Sequence, residues 1–291
     1  MGQCIDKMDE IKTIAILGTG SMGIDLGLVS ALHEFDVILW HRKDCQIARA
    51  RLISRLDKYT EKEILTLSER KMALDRIDVT NRLEDLSDVD LIIETIVENV
   101  TEKSMLLNRV ALIASDTCII TSNTSSLSIE DLANNTGISE RFAGLHFFNP
   151  ALKMELVEII ACPKTSPETL VALRKAVSRM GKTAVEVKDS PGFIVNRLMA
   201  CQMREAILLV EQDIATPEDI DIAVKLGLAH PIGPLALADL IGLDVMLSIF
   251  EALYRGTGSA TYMPPKNLIE LVSKGWLGRK AGQGFFTYGE S

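Results

Sequence analysis

Residues 11–23 read IKTIAILGTGSMG, and the architecture follows from them. Apolar Ile14, Ala15, Ile16 and Leu17 form a short run with the pattern of a buried strand. Gly18-Thr19-Gly20-Ser21-Met22-Gly23 follows at once, and Ile24 to Glu34 then has a helical pattern with Leu26, Leu28, Val29 and Leu32 inward. G-x-G-x-x-G between a strand and a helix is the setting in which this motif binds a dinucleotide. The first glycine permits a tight turn, the second lets backbone approach a pyrophosphate, and the third lets helix and strand pack closely. The helix N-terminus, with its free N–H groups, then faces the anion. The six residues alone would equally suit an ordinary βα turn. A second strand pattern at Asp36 to Trp40 favours the dinucleotide.

Beyond this unit, residues 11 to about 188 alternate strand-like and helix-like segments. Strands are expected at 12–17, 36–40, 90–94, 118–122, 142–147, 156–160 and 183–187, with helical patterns between most of them. That is the α/β signature of a doubly wound, Rossmann-type sheet. The charged span 45–73 has a helical period and reads as a helical excursion leaving the sheet. Asp189-Ser190-Pro191-Gly192 is the clearest boundary, after which helices are expected at 193–213, 217–226, 235–253 and 265–274. Thr216-Pro217-Glu218-Asp219 is a helix start, with a capping hydroxyl, proline at the first position and acids in the first turn. Helix 193–213 carries apolar residues on more than one face and is expected at the centre of its domain, buried in part by a partner chain. The expected organisation is therefore 1–188, a dinucleotide-binding α/β domain, and 189–291, an all-helical domain bordering the substrate cleft.

The chain has 291 residues, 47% of them hydrophobic and 24% charged, which is a globular composition with ample length for a core. A net charge of −9 argues against nucleic acid as a partner and means that an anionic ligand needs a local basic patch. No run reaches the ~18 apolar residues of a membrane span. Cys4, Cys45, Cys118, Cys162 and Cys201 are scattered, odd in number and without C-x-x-C spacing, as expected for reduced thiols in a cytoplasmic protein. No metal site is expected. Asp6, Asp9 and Glu10 interrupt any secretory signal, and Asp6 stands where an acylation start at Met1-Gly2-Gln3-Cys4 would need Ser or Thr.

Dinucleotide folds that take NAD usually carry an acid at the end of the second strand, where it bonds the ribose hydroxyls. His41 holds that place here, followed by Arg42 and Lys43. These cations suit the 2′-phosphate of NADP, so NADP is favoured over NAD. The plainer alternative is that they are solvated loop charges and that Asp44 meets the ribose.

His146 ends an apolar run in Gly144-Leu145-His146-Phe147-Phe148-Asn149-Pro150. A lone histidine after a strand is more often structural than catalytic. Two features raise it: a sheet strand delivers it to the cofactor crevice, and Glu158 lies in the apolar strand Leu156-Val157-Glu158-Ile159-Ile160, where a carboxylate needs a partner. A His–Glu pair would fix the imidazole tautomer for a general base. Ser122-Asn123-Thr124-Ser125-Ser126 ends another strand and reads either as polar groups around nicotinamide and substrate or as a helix cap, with Ser128 the better cap. Asn196, one turn into the first helix of the second domain, suits an oxyanion or hydroxyl contact, although asparagine is common on helix surfaces. Arg51, Arg55, Lys58 and Lys62 recur at i, i+4, i+7 and i+11 as one basic stripe, either a solvated face or a dock for a phosphorylated handle.

In order and spacing, GTGSMG (18–23), ETIVENVTEK (94–103), TSNTSSL (121–127), RFAGLHFFNP (141–150), LVEII (156–160), KDSPGFIVNRL (188–198), HPIGPLALADLIGLD (230–244) and GRKAGQGFF (278–286) resemble the L-3-hydroxyacyl-CoA dehydrogenase family, and the length is similar to its short-chain 3-hydroxybutyryl-CoA members. The resemblance implies a nucleotide-binding α/β domain followed by a helical domain that forms a homodimer. It implies that His146 is the catalytic base, Glu158 its orienting carboxylate, and Ser125 and Asn196 the residues that hold substrate. Glu98, Lys103, Asn123 and Asn149 match positions around the cofactor, beside Gly18, Gly20, Ser21, Met22, Gly23, His41 and Arg42. The excursion helix, with Arg51, Arg55, Lys58 and Lys62, is where the family contacts coenzyme A. His41 departs from the pattern, which usually has Asp there. The expected reaction is hydride transfer between a nicotinamide cofactor and a 3-hydroxyacyl-CoA/3-oxoacyl-CoA pair. The rival readings are a dehydrogenase of a free hydroxy acid or sugar acid, as in the related L-gulonate enzymes, and a non-catalytic dinucleotide-binding relative.

Overall fold

The computed structural model describes residues 10–289, so the acylation reading at Met1-Gly2-Gln3-Cys4 lies outside the described residues. The chain forms two compact units that part between Asp189 and Ser190.

The first unit is built on one eight-stranded sheet. Its strands are β1 (Thr13–Leu17), β2 (Asp36–Trp40), β3 (Ile77–Thr80), β4 (Leu91–Glu94), β5 (Ile119–Ser122), β6 (Phe142–Phe147), β7 (Leu156–Ala161) and β8 (Thr183–Lys188), in the order β3-β2-β1-β4-β5-β6-β7-β8. All neighbouring strands are parallel except β6 and β7. The central strands β4, β5 and β6 are buried at every residue, because helices cover both faces of a sheet wound this way. The chain runs outward from β1 to β3 and then returns to the other side of β1 at β4. That reversal opens a crevice beyond the carboxyl ends of β1 and β4, the place where such sheets bind ligands.

The helices of this unit are α1 (Ser21–Leu32), α2 (Cys45–Glu61), α3 (Leu67–Arg76), α4 (Val100–Ala111), α5 (Ile129–Thr136) and α6 (Pro167–Arg179). Helix α1 starts three residues earlier than its apolar pattern suggests and is buried continuously from Gly23 to Ala31, since it packs between the sheet and α2 and α3. Gly27 faces Leu39 of β2, where a methyl group would approach Leu39 Cδ2 to 2.8 Å. Ser128 does cap α5, accepting from the Asp131 N–H.

Two expectations for this unit need correction. The excursion 45–73 is not one helix: α2 ends at Glu61, and α3 begins at a capping box in which Thr66 and Glu69 satisfy each other's backbone N–H. It also returns to the sheet, because Ile77–Thr80 forms β3 at the edge beside β2. Four residues directly after a helix, with only Ile77 buried, leave little alternation to detect.

The second unit is all helical, with α7 (Val195–Glu211), α8 (Pro217–Gly227), α9 (Pro234–Ile241), α10 (Leu243–Thr257) and α11 (Lys266–Ser273). Met203, Ile207, Leu235, Leu243, Phe250 and Leu268 lie in its core. The helix expected at 235–253 is two helices, broken at Gly242, whose φ of +107° only glycine adopts without strain. Thr216 caps α8 with Pro217 at its first position, as the sequence suggests. Buried Asp239 accepts from the Phe285 and Phe286 N–H groups and the Tyr288 hydroxyl, so residues 285–288 are fastened to α9. No helix is long and apolar enough to cross a membrane among the described residues.

Candidate active site

The rim of the crevice is formed by residues that follow the parallel strands. Leu17 is in register with Trp40 on one side and Glu94 on the other, and Glu94 with Ser122. Gly18, His41, Thr95 and Asn123 therefore line one edge. His146 stands two residues beyond Gly144, the partner of Ser122, at the same edge.

The glycine-rich loop fits a dinucleotide. Gly18 turns with φ +117°. Gly23 packs so close to the Gly18 carbonyl and Thr95 that a side chain has no room, whereas a methyl group on Gly20 would meet nothing within 4 Å. Backbone at Gly20 thus faces open space at the start of α1, which opens without a side-chain cap and so presents its N-terminal N–H groups. Ser21 is exposed and Met22 half-buried beside it. The Thr19 hydroxyl is buried in the loop with no hydrogen-bond partner among the described residues.

Behind this rim lies a buried charge network. Lys103 of α4 and Glu94 at the end of β4 are both almost wholly buried and meet at 2.6 Å. Glu94 also accepts from the Ser122 hydroxyl and the Ile96 N–H, each at 2.6 Å. Lys103 reaches Glu98 at 3.3 Å. Glu98 in turn accepts from the Ser125 and Ser126 N–H groups and the Thr124 and Ser126 hydroxyls. Burial works to raise the Glu98 carboxyl, but Lys103 and these hydrogen bonds outweigh it and hold the group below the usual carboxylate range. The network fixes the loop that carries Ser125. Asn123 ties the same loop to β6, its side-chain oxygen accepting the Phe147 N–H at 2.8 Å. Asn149 is exposed after β6.

His146 and Glu158 are direct register partners on β6 and β7, both buried, with Nδ1 2.8 Å from Glu158 Oε2. A carboxylate only accepts, so Nδ1 carries the hydrogen, which in the neutral ring leaves the lone pair on Nε2. The Phe148 ring packs against the imidazole at 4.6 Å. Asn196 sits half-buried in the first turn of α7, in the second unit.

The basic residues divide. His41 Nδ1 accepts the N–H groups of Lys43 and Asp44, closing the turn after β2. Burial first, and then Arg51, push its imidazole below the ordinary histidine value. Arg42 leans to Glu102 at 3.3 Å. On α2, Arg51 donates to the Thr19 carbonyl at 3.2 Å, and Arg55 contacts the Ser21 hydroxyl and lies 3.4 Å from Asp25. The stripe is therefore not one solvated face: its first two members bend over the glycine loop, while Lys58 and Lys62 remain exposed. Asp25 is buried, and burial raises its carboxyl although Arg55 and the Tyr59 hydroxyl, 3.0 Å from each oxygen, oppose that. Asp25, Tyr59 and Glu94 carry no weight in the sequence reading. Glu94 has a signal related to that of Glu158, an acid attached to an apolar strand, at its end rather than within it.

Fold and rim together define a nicotinamide-dependent dehydrogenase. The model of the 3-hydroxyacyl-CoA dehydrogenase NAD-binding domain matches residues 13–190, and that of the 3-hydroxyacyl-CoA dehydrogenase C-terminal domain matches 192–288. A probable 3-hydroxybutyryl-CoA dehydrogenase of Bacillus subtilis is 41% identical over 97% of this chain and 99% of its own. A 3-hydroxybutyryl-CoA dehydrogenase of Bradyrhizobium diazoefficiens is 40% identical over 96% of each. The crystal structure of (S)-3-hydroxybutyryl-CoA dehydrogenase from Ralstonia eutropha superposes with a TM-score of 0.91 at 40% identity, covering 97% of this chain and 100% of that one. The chain belongs to the 3-hydroxyacyl-CoA dehydrogenase family and is an oxidoreductase acting on a CH–OH group.

Proposed function

We propose that the protein interconverts 3-hydroxybutyryl-CoA and acetoacetyl-CoA, with NADP favoured over NAD. The buried His146–Glu158 pair at 2.8 Å carries this reading. When bound, the nicotinamide takes up or gives back the hydride. His146 Nε2 removes the proton from the 3-hydroxyl in oxidation and returns it to the oxygen in reduction. Glu158 keeps the ring in the productive tautomer and stabilises the imidazolium once it forms. Ser125, set by the Glu98 and Lys103 network, and Asn196 hold the substrate oxygen. Gly18, Gly20, Ser21, Met22 and Gly23 receive the diphosphate, with Glu98, Lys103, Asn123 and Asn149 around the rest of the cofactor. The coenzyme A handle falls to exposed Lys58 and Lys62.

Short-chain substrate is supported by the names of the most similar relatives. A homodimer through the C-terminal helices is supported by exposed Leu198, Ile222, Leu226, Leu228 and Leu240 in the second unit. A cytoplasmic location is supported by Cys45, Cys118, Cys162 and Cys201, all free. The test is steady-state reduction of acetoacetyl-CoA at 340 nm with NADPH and with NADH. The expected result is turnover with the higher kcat/KM for NADPH. Turnover favouring NADH would keep the reaction and overturn the cofactor preference. No turnover with either would overturn the substrate.

A further inference from the structure

We propose that Arg51, on the excursion helix, is the residue through which this chain recognises the 2′-phosphate of NADP. The inference rests on the cofactor preference above and moves Arg51 from the acyl-CoA handle to the dinucleotide.

In a doubly wound fold the adenosine ribose lies between the glycine loop and the end of the second strand, and an arginine there accommodates a 2′-phosphate. Arg51 contacts the first of these places and lies near the second. Its Nη1 is 3.2 Å from the carbonyl of Thr19, between the first two glycines, and its charge acts on His41 at the end of β2. Three of the other groups near this point have partners of their own, and Lys43 stands exposed on the turn after β2. His41 is closed into its own turn and Arg42 leans to Glu102. Arg55 is held by Asp25, Ser21 and Tyr59. Arg51 is exposed and pairs with no carboxylate among the described residues, so its guanidinium is available to a dianion.

Its placement has a cause in the packing. Buried Asp25 on α1 needs a cation, and Arg55, one turn beyond Arg51 on α2, supplies it together with the Tyr59 hydroxyl. That attachment draws α2 across the start of α1 and brings Arg51 over the loop. A planar guanidinium makes paired hydrogen bonds to phosphate oxygens, which a ribose hydroxyl cannot match.

The test is calorimetric binding of NADP+, NAD+ and 2′,5′-ADP, without acyl-CoA, to the wild type, Arg51→Ala, Arg51→Gln and Arg51→Lys, with thermal unfolding measured alongside. The glutamine variant keeps the stem of the side chain and guards against a folding defect. Wild type is expected to bind NADP+ more tightly than NAD+. Both neutral variants are expected to weaken NADP+ and 2′,5′-ADP by at least ~10-fold while leaving NAD+ within about twofold, with lysine between. If wild type prefers NADP+ and the neutral variants lose both cofactors alike, or neither, Arg51 is not the discriminator and the preference stands without it. If wild type prefers NAD+, the preference itself is wrong and this inference falls with it.

Discussion

His146 and Glu158 face each other across the only antiparallel pair of the described sheet, imidazole Nδ1 2.8 Å from carboxylate Oε2. The arrangement follows from the register of β6 and β7, in which the two residues are direct partners. Two side chains in direct register then point to the same face from neighbouring strands. Their burial removes water that would otherwise compete for the carboxylate.

Replacing His146 by Ala should lower kcat by at least ~100-fold, the lower end for general acid–base catalysis. Glu158→Gln keeps the shape but not the charge, and should lower kcat with KM for acetoacetyl-CoA little changed. Steady-state kinetics of both variants check this. A His146→Ala enzyme within about threefold of wild type would remove His146 from the role of base.

Gly20 and Gly23 should fail in different ways. Gly20 has φ −70° and open space above it, so Gly20→Ala should fold normally, within about 0.5 kcal/mol of wild type, yet bind the dinucleotide ~10-fold or more weakly. Gly23→Ala places a methyl group 2.7 Å from Thr95 Oγ1 and against the Gly18 carbonyl, and should cost about 1–3 kcal/mol of stability. Urea unfolding and cofactor titration separate the two effects.

Lys103→Met leaves Glu94 buried without its cation. The expected loss is about 3–5 kcal/mol, read from the denaturant midpoint. The double variant Lys103→Met with Glu94→Gln should recover part of it, because the uncompensated charge is gone. No recovery would mean that the loss comes from packing of the lysine stem.

Acid should release the loop around Ser125. The Glu98 carboxyl lies below its ordinary 4.5, because Lys103 and the loop hydrogen bonds outweigh burial. A carboxyl lowered by folding stabilises the fold fully above its unfolded value and loses that contribution as pH falls through its folded value. The stability difference between wild type and Glu98→Gln should therefore be constant from pH 7 to about 4.5 and shrink below it. A difference that grows on acidification would contradict the depressed value.

The order of elements, the glycine loop and the helical second unit were legible because each depends on neighbours in sequence. A strand–glycine–helix unit is local, and so is a cap such as Thr216 with Pro217. The His146–Glu158 pair was legible for a related reason: a carboxylate in an apolar strand needs a partner, and few partners stood at that edge. Periodicity reports that a side chain is buried, not which distant group meets it. So a four-residue edge strand such as β3 leaves no periodic pattern, and the apolar period of 235–253 runs unbroken through Gly242, where the chain turns. The basic stripe was correctly placed on a helix, but its division was not foreseeable. Arg51 and Arg55 reach the glycine loop because Asp25, thirty residues before Arg55, is buried where only a cation and a hydroxyl from α2 can satisfy it. Local pattern fixed the elements and most of the chemistry-bearing residue types. Long-range packing decided which charges were spent inside the protein and which were left for a ligand, since that depends on which buried groups end up within hydrogen-bonding distance.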